Sequence, residues 1–345
     1  MEKQRNFFLD LVRCFALFCI IWCHSNVVEF DSYLLEKVKW FFGKCGVPLF
    51  FIISGYLAFP LKMPLRIYLK GKFNRVVIPL IIWTIIYAVT EYVGNNPILL
   101  GGDILNEGSA HLWFIYVVMG LYLIVPLLNP FMAIVSRKVL KFYLLIWGVT
   151  TLYPLIIFVF KIPYSEHSCL YTLNSFYGYI GYFILGFYIR VYGSVSRLLK
   201  KKMIFSCIVA SVILIGIYFF VFDCQTVIVS DYKGLPMLLY SIAMLGILAY
   251  IAPYVEKSRL RNGITQLSIY SFGIYLCHML IVRYLYPYIP EISWMPDLLT
   301  TACVVIVNIA ISYSVVRILS KMPFAHYLFG CGVLKNIDGS EGLRL

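Results

Sequence analysis

The sequence predicts an all-α integral membrane protein, a polytopic bundle of about ten transmembrane helices with both termini cytoplasmic. Three observations carry that expectation. Apolar residues fill 61% of 345 positions, charged residues only 13%, and the mean hydropathy is +0.86. A soluble chain of this size carries about a quarter of its residues charged. Apolar runs of roughly 17–25 residues, long enough to cross a bilayer, recur from end to end. Finally, the charges alternate. With the N-terminus inside, 22 of the 29 Lys and Arg fall in inner segments and six in outer ones, while acidic residues invert this, four inside and eleven outside. That is the positive-inside pattern.

The elements are expected in this order. The first helix, Phe7–His24, is interrupted by Asp10 and Arg13, and no A-x-A-like cleavage site follows. It therefore reads as a retained helix rather than a signal peptide. Next come Cys45–Phe59, Arg75–Tyr92, His111–Leu127, Leu140–Phe160, Tyr177–Arg190, Met203–Phe222, Leu235–Ile251, Ile269–Val282 and Leu298–Val316. Cys45–Phe59 and Ile269–Val282 are short or broken by polar residues, which suits tilted helices or helices inside the bundle. No internal repeat or Pro/Gly-rich linker divides the chain, so residues 1–345 are expected to form a single membrane-embedded domain. Its helix bundle covers 1–322 and a cytoplasmic tail covers 323–345.

Several function classes are disfavoured. The net charge of +13 could suggest nucleic acid. The basic residues, however, sit in short clusters between apolar runs rather than on one polar face, so no nucleic-acid partner is expected. Cys14, Cys19, Cys23, Cys207, Cys277 and Cys303 lie within apolar runs, where Cys acts as a small hydrophobe. No CxxC or Cys/His spacing points to a metal, and none is expected. A Cys169–Cys224 bridge in outer loops stays open.

Ionisable groups within a spanning segment are costly and therefore default to function. Arg13 and His24 are eleven residues apart, about three helical turns, which places them on one stripe about 16 Å apart along the axis. Asp10 stands at i−3 from Arg13 and can pair with it. The bland alternative is a structural Asp–Arg pair with a His reaching the outer interface. Ser54-Gly55 offers a small-residue pair where backbones approach closely, and Ser54 has no nearby base in sequence. Lys72 and Arg75, in the inner loop before the third helix, suit the phosphates of a nucleotide-like donor or serve simply as membrane anchors. His111 and Trp113 open the fourth helix on the outer side, where an aromatic beside an imidazole suits carbohydrate. Tyr275 and His278 lie within the ninth helix, where a buried imidazole needs a partner.

These segments, in this order, resemble the membrane acyltransferase-3 family. Leu9-Asp10-Leu11-Val12-Arg13 with His24, followed by Phe50-Phe51-Ile52-Ile53-Ser54-Gly55, is similar to its opening signature. His111-Leu112-Trp113-Phe114 through Gly120-Leu121-Tyr122, Gly181-Tyr182-Phe183-Ile184-Leu185-Gly186, and Ser271 to His278 are similar to its later blocks. The resemblance covers nearly the whole chain. Among the branches it looks most like stand-alone O-acetyltransferases such as the one that modifies enterobacterial common antigen. The family's inner-loop Arg-x-x-Arg is here Lys72-x-x-Arg75, which keeps the charge but loses one bidentate fork.

The resemblance implies a multi-pass enzyme of the bacterial inner membrane that moves an acyl group, usually acetyl, from cytoplasmic acetyl-CoA to a hydroxyl. The acceptor is a surface polysaccharide or its lipid-linked precursor. Acetyl-CoA would be a donor substrate, with no cofactor permanently bound and no appended extracytoplasmic catalytic domain. His24 is expected to act as general base or covalent acyl relay. Arg13 would stabilise donor phosphate or the developing oxyanion, with Asp10 fixing its rotamer. Lys72 and Arg75 would hold the CoA end, and Ser54, His111, Trp113, Tyr275 and His278 would serve the acceptor side. The alternative from another class is a transporter or flippase of a glycan or small solute, which does no acyl-transfer chemistry.

Overall fold

The computed structural model describes residues 5–25, 33–93, 110–153, 169–192, 201–216, 232–288 and 296–330, with positions 156 and 160. Among these residues every regular element is helical. Seven stretches are long and apolar enough to cross a membrane: Phe7–His24, Lys39–Ala58, Leu65–Thr90, Trp113–Ile134, Leu235–Glu256, Arg261–Tyr288 and Asp297–Leu319. Large apolar side chains such as Leu127 and Ile134 stand 78% and 84% exposed on the surface. Patches of that kind suit lipid rather than water.

The described residues fall into two compact units, each discontinuous in sequence. The first comprises residues 1–23, 30–60 and 128–265; the second comprises 24–29, 61–127 and 266–345.

In the first unit, α1 (Phe7–His24, whose last residue belongs to the second unit) has the bounds expected from its apolar run. It is followed by α2 (Tyr33–Lys44) and α3 (Gly46–Ala58). Helix α2 was not expected, because Glu36, Lys37 and Lys39 break the apolar run that a spanning segment requires. Its backbone nevertheless helps bury α1: Trp22 donates its indole N–H to the Lys39 carbonyl at 3.2 Å.

Helix–helix adhesion without a hydrophobic drive rests on close packing of small residues, and α3 does this against a later helix, Cys169–Tyr192. A Cβ on Gly55 would collide with the Phe183 backbone, and one on Gly186 with the Ile52 carbonyl. Arg190 of that helix donates to the carbonyls of Tyr56 and Phe59, occupying acceptors that the end of α3 leaves without helical donors. The expected backbone approach at Ser54-Gly55 therefore occurs.

In the second unit, α4 (Leu65–Lys72), a π-helical turn (Phe73–Val77) and α5 (Ile78–Val93) run on as one rod. This corrects the placement of Lys72 and Arg75 in a loop: Lys72 ends α4 and Arg75 lies in the π turn. Gly71 between two lysines looks like a breaker, but it has open space around it and costs the helix only about 1 kcal/mol.

A 3₁₀ turn, Ala110–Leu112, leads into α6 (Trp113–Ile134), whose residues to Leu127 belong to this unit. The first unit then adds α7 (Arg137–Thr150), α8 (Cys169–Tyr192), α9 (Lys201–Gly216) and α10 (Leu235–Glu256). Helix α11 (Arg261–Tyr284) enters the second unit at Gln266, and α12 (Asp297–Leu319) and α13 (Ala325–Phe329) complete it.

Trp83 of α5 donates to the Leu328 carbonyl at 2.7 Å, docking α13. Gly330 closes α13 at φ +62°, a left-handed cap beside the Arg75 carbonyl where a Cβ would not fit. Residues 323–330 of the expected tail thus include a packed helix, and 331–345 lie outside the described residues. So does Cys224, and with it the Cys169–Cys224 question.

Candidate functional site

The second unit gathers three imidazoles. α1 delivers His24 at its last position, the 3₁₀ turn delivers His111, and α11 delivers His278 from its interior. The ring of His24 lies 5.4 Å from that of His278 and 6.4 Å from that of His111, and the latter two are 5.3 Å apart. His278 is fully buried and His111 is 4% exposed, while His24 is half-buried. His278 and His111 are therefore the enclosed members of the cluster and His24 the more exposed one.

Hydrogen bonds hold these rings in place. Tyr275, one turn before His278, donates its hydroxyl to the His111 carbonyl, tying the 3₁₀ turn to α11. Tyr87 of α5 donates to the Leu276 carbonyl at 2.6 Å and packs edge-on against the His111 ring at 4.8 Å. His278 Nδ1 lies 2.6 Å from the Tyr275 carbonyl. A carbonyl only accepts, so Nδ1 carries the proton, and a neutral His278 then presents a bare lone pair at Nε2. Among the described residues neither that Nε2 nor the Nε2 of His111 has a hydrogen-bond partner. A buried imidazole nitrogen calls for a partner, which makes these two atoms candidates for contact with a polar ligand. No group of three or more His, Cys, Asp or Glu among the described residues is arranged to hold a metal ion.

A buried polar chain lies behind the cluster. Asn308 of α12 donates through Nδ2 to the His278 carbonyl (3.3 Å) and to Tyr286 Oη (3.0 Å), and its Oδ1 accepts from Ser312 (3.0 Å). Tyr286 Oη is in turn 2.9 Å from Oγ of Ser25, the residue that follows His24.

The other expected residues divide between the units. Asp10 and Arg13 sit on α1 within the first unit. Asp10, 2% exposed, is gripped by Arg5 at 2.6 and 2.8 Å, whereas Arg13 stands at 3.8 Å. The nearer partner of Asp10 is thus Arg5, because its side chain folds back over the first turn in a bidentate fork. Ser54 lies in α3, also in the first unit. Trp113 begins α6 and packs against Phe114, whose ring meets Tyr275 at 5.8 Å.

Lys72 places its ammonium 3.5 Å from the centre of the Tyr122 ring and 5.6 Å from that of Tyr68. It lines a half-open cavity of about 380 Å³ together with Lys70, Phe73, Val76 and Met119. Tyr68 donates to the Tyr122 carbonyl at 3.0 Å, bracing α4 on α6.

Comparison with known proteins decides the family. The family model described as an acyltransferase domain matches residues 6–317. The chain belongs to this acyltransferase family. No curated protein and no solved structure matches it. In this acyltransferase with apolar, membrane-length helices, the three-histidine cluster is the candidate site. Sequence reasoning missed Arg5, Tyr87, Tyr286 and Asn308. Only Asn308 carried a signal, being an amide inside an apolar run.

Proposed function

We propose that this acyltransferase moves an acetyl group from cytoplasmic acetyl-CoA to a hydroxyl of a cell-surface polysaccharide or its lipid-linked precursor. In this reading it is a ten-span protein of a bacterial inner membrane with both termini inside. The observation that carries the proposal is the meeting of His24 with two buried imidazoles whose Nε2 atoms have no protein partner among the described residues.

His24 takes the proton from the acceptor hydroxyl while that oxygen attacks the thioester carbonyl. The carbon–sulfur bond breaks, and coenzyme A leaves as the thiolate and then regains a proton. Such a base contributes roughly 10²–10⁴-fold. The attacking hydroxyl gives its single proton to His24, so the lone pair at His278 Nε2 accepts from a neighbouring hydroxyl of the acceptor, and His111, Tyr275 and Trp113 shape the pocket around it. Arg13, on the same helix as His24, serves donor phosphate or the developing oxyanion. The bidentate Arg5–Asp10 pair sets the local charge around Arg13. Lys72 and Arg75 take the nucleotide end, Lys72 from beside the Tyr122 cavity. Ser54 contributes close packing rather than a nucleophile.

The test is to supply the purified chain with acetyl-CoA carrying a labelled acetyl group and cell-envelope glycans. Release of free coenzyme A together with label on glycan is expected. A protein that only transports leaves acetyl-CoA intact.

A further inference from the structure

Three buried hydroxyl and amide groups next to His24 have no part in the chemistry just described. Ser25, Tyr286 and Asn308 come from the end of α1, the turn after α11 and the middle of α12, all within the second unit. Ser25 and Asn308 are fully buried, and Tyr286 is nearly so.

Their bonds have a direction. Asn308 Nδ2 faces the His278 carbonyl, which can only accept, so the amide nitrogen must stand there rather than the oxygen. Its second proton goes to Tyr286 Oη, and its oxygen accepts from Ser312. Tyr286 Oη, having accepted that proton, lies 2.9 Å from Ser25 Oγ, a bond in which either hydroxyl can donate. Asn308 thus grips two sides of one cluster: the backbone of His278 directly, and the residue after His24 through Tyr286. An amide at membrane depth is costly unless satisfied, and here both its protons and its oxygen are used.

From this geometry we infer that Asn308, Tyr286 and Ser25 form a positioning chain that fixes the end of α1 and aims the His24 imidazole at the ligand space beside His278. None of the three touches the reacting atoms. They act by holding His24 in register with His278, and this rests on the reading of His24 as the base. A displacement of about 1 Å at a catalytic group costs up to roughly 100-fold in rate.

The experiment compares the full-length chain in lipid vesicles as wild type, Tyr286→Phe, Ser25→Ala, the double variant and His24→Ala. The readout is coenzyme A release from acetyl-CoA with envelope glycans, per unit of folded protein. Each single variant should lose roughly 10- to 100-fold in kcat with the KM for acetyl-CoA unchanged. The double variant should fall well short of the product of the two single losses, because both cut the Tyr286–Ser25 bond.

Multiplicative losses, a shift confined to KM, or loss of folded protein in Ser25→Ala would overturn the positioning role. So would wild-type turnover in both single variants while His24→Ala is inactive, which would leave the His24 reading standing. Wild-type turnover in His24→Ala would sink that reading instead.

Discussion

The imidazole of His278 lies 5.4 Å from that of His24, with its Nδ1 proton committed to the Tyr275 carbonyl and its Nε2 without a hydrogen-bond partner among the described residues. One ring is thus locked and the other, at a helix end, can work beside it.

The first prediction separates the two nitrogens of His278. In His278→Asn the side-chain amide can still donate to the Tyr275 carbonyl, but nothing replaces Nε2. Turnover should fall at least tenfold with the protein still folded. His278→Ala, which also leaves that carbonyl one donor short, should lose roughly a further 1 kcal/mol of stability. Steady-state kinetics and a thermal melt in detergent read both quantities, and full activity in His278→Asn would remove Nε2 from the mechanism.

Donor binding is tested at Lys72, which stands 3.5 Å over the Tyr122 ring. Lys72→Arg should retain activity, because arginine keeps both the charge and the ring contact. Lys72→Glu should raise the acetyl-CoA requirement without unfolding the protein. An unchanged KM for acetyl-CoA in Lys72→Glu would leave this residue as a membrane anchor.

The Arg5–Asp10 pair makes a stability prediction. Arg5→Ala removes the bidentate partner of a buried carboxylate and leaves Arg13 at 3.8 Å, and should cost about 2 kcal/mol. Replacing both partners by leucine should recover part of that loss, since the buried carboxylate is gone while Arg13 loses the partner 3.8 Å away. Unfolding in detergent measures it, and a double variant as weak as Arg5→Ala would show that the pair holds more than itself.

Packing between α3 and α8 predicts the opposite fates of two glycines. Gly55→Val drives a side chain into the Phe183 backbone and should abolish folded protein, whereas Gly148→Ala meets nothing within 4 Å and should gain a few tenths of a kcal/mol or more. Equal yields of the two variants would refute the close approach.

Much of this architecture could be read in advance, and the failures have identifiable causes. α1 was legible to the residue because an apolar run ends at His24 between polar segments. Ser54-Gly55 is legible as a close approach, since only small residues let helices meet, whereas nothing in the sequence marks Gly186 as its counterpart. Lys72 and Arg75 were misplaced because Lys-Gly-Lys resembles a loop, although helix continuity through a π turn carries them. The Asp10–Arg13 pair expected from helical spacing is present at 3.8 Å, and what spacing could not show is Arg5, which lies upstream of the helix and comes nearer at 2.6 Å. The histidine cluster itself was invisible: His24, His111 and His278 are far apart in sequence, and only folding brings them together. Tyr87 was one tyrosine among 28, with nothing in its neighbours to single it out.

The central claim is that His24 is the base of acyl transfer, and one paired measurement tests it most directly. His24→Ala should bind acetyl-CoA with an affinity close to that of the wild type, because the imidazole acts on the acceptor hydroxyl and not on the nucleotide. The same protein should transfer labelled acetyl to envelope glycans at least 100-fold more slowly. Normal transfer by folded His24→Ala would contradict the account and reduce the three-histidine cluster to a structural contact.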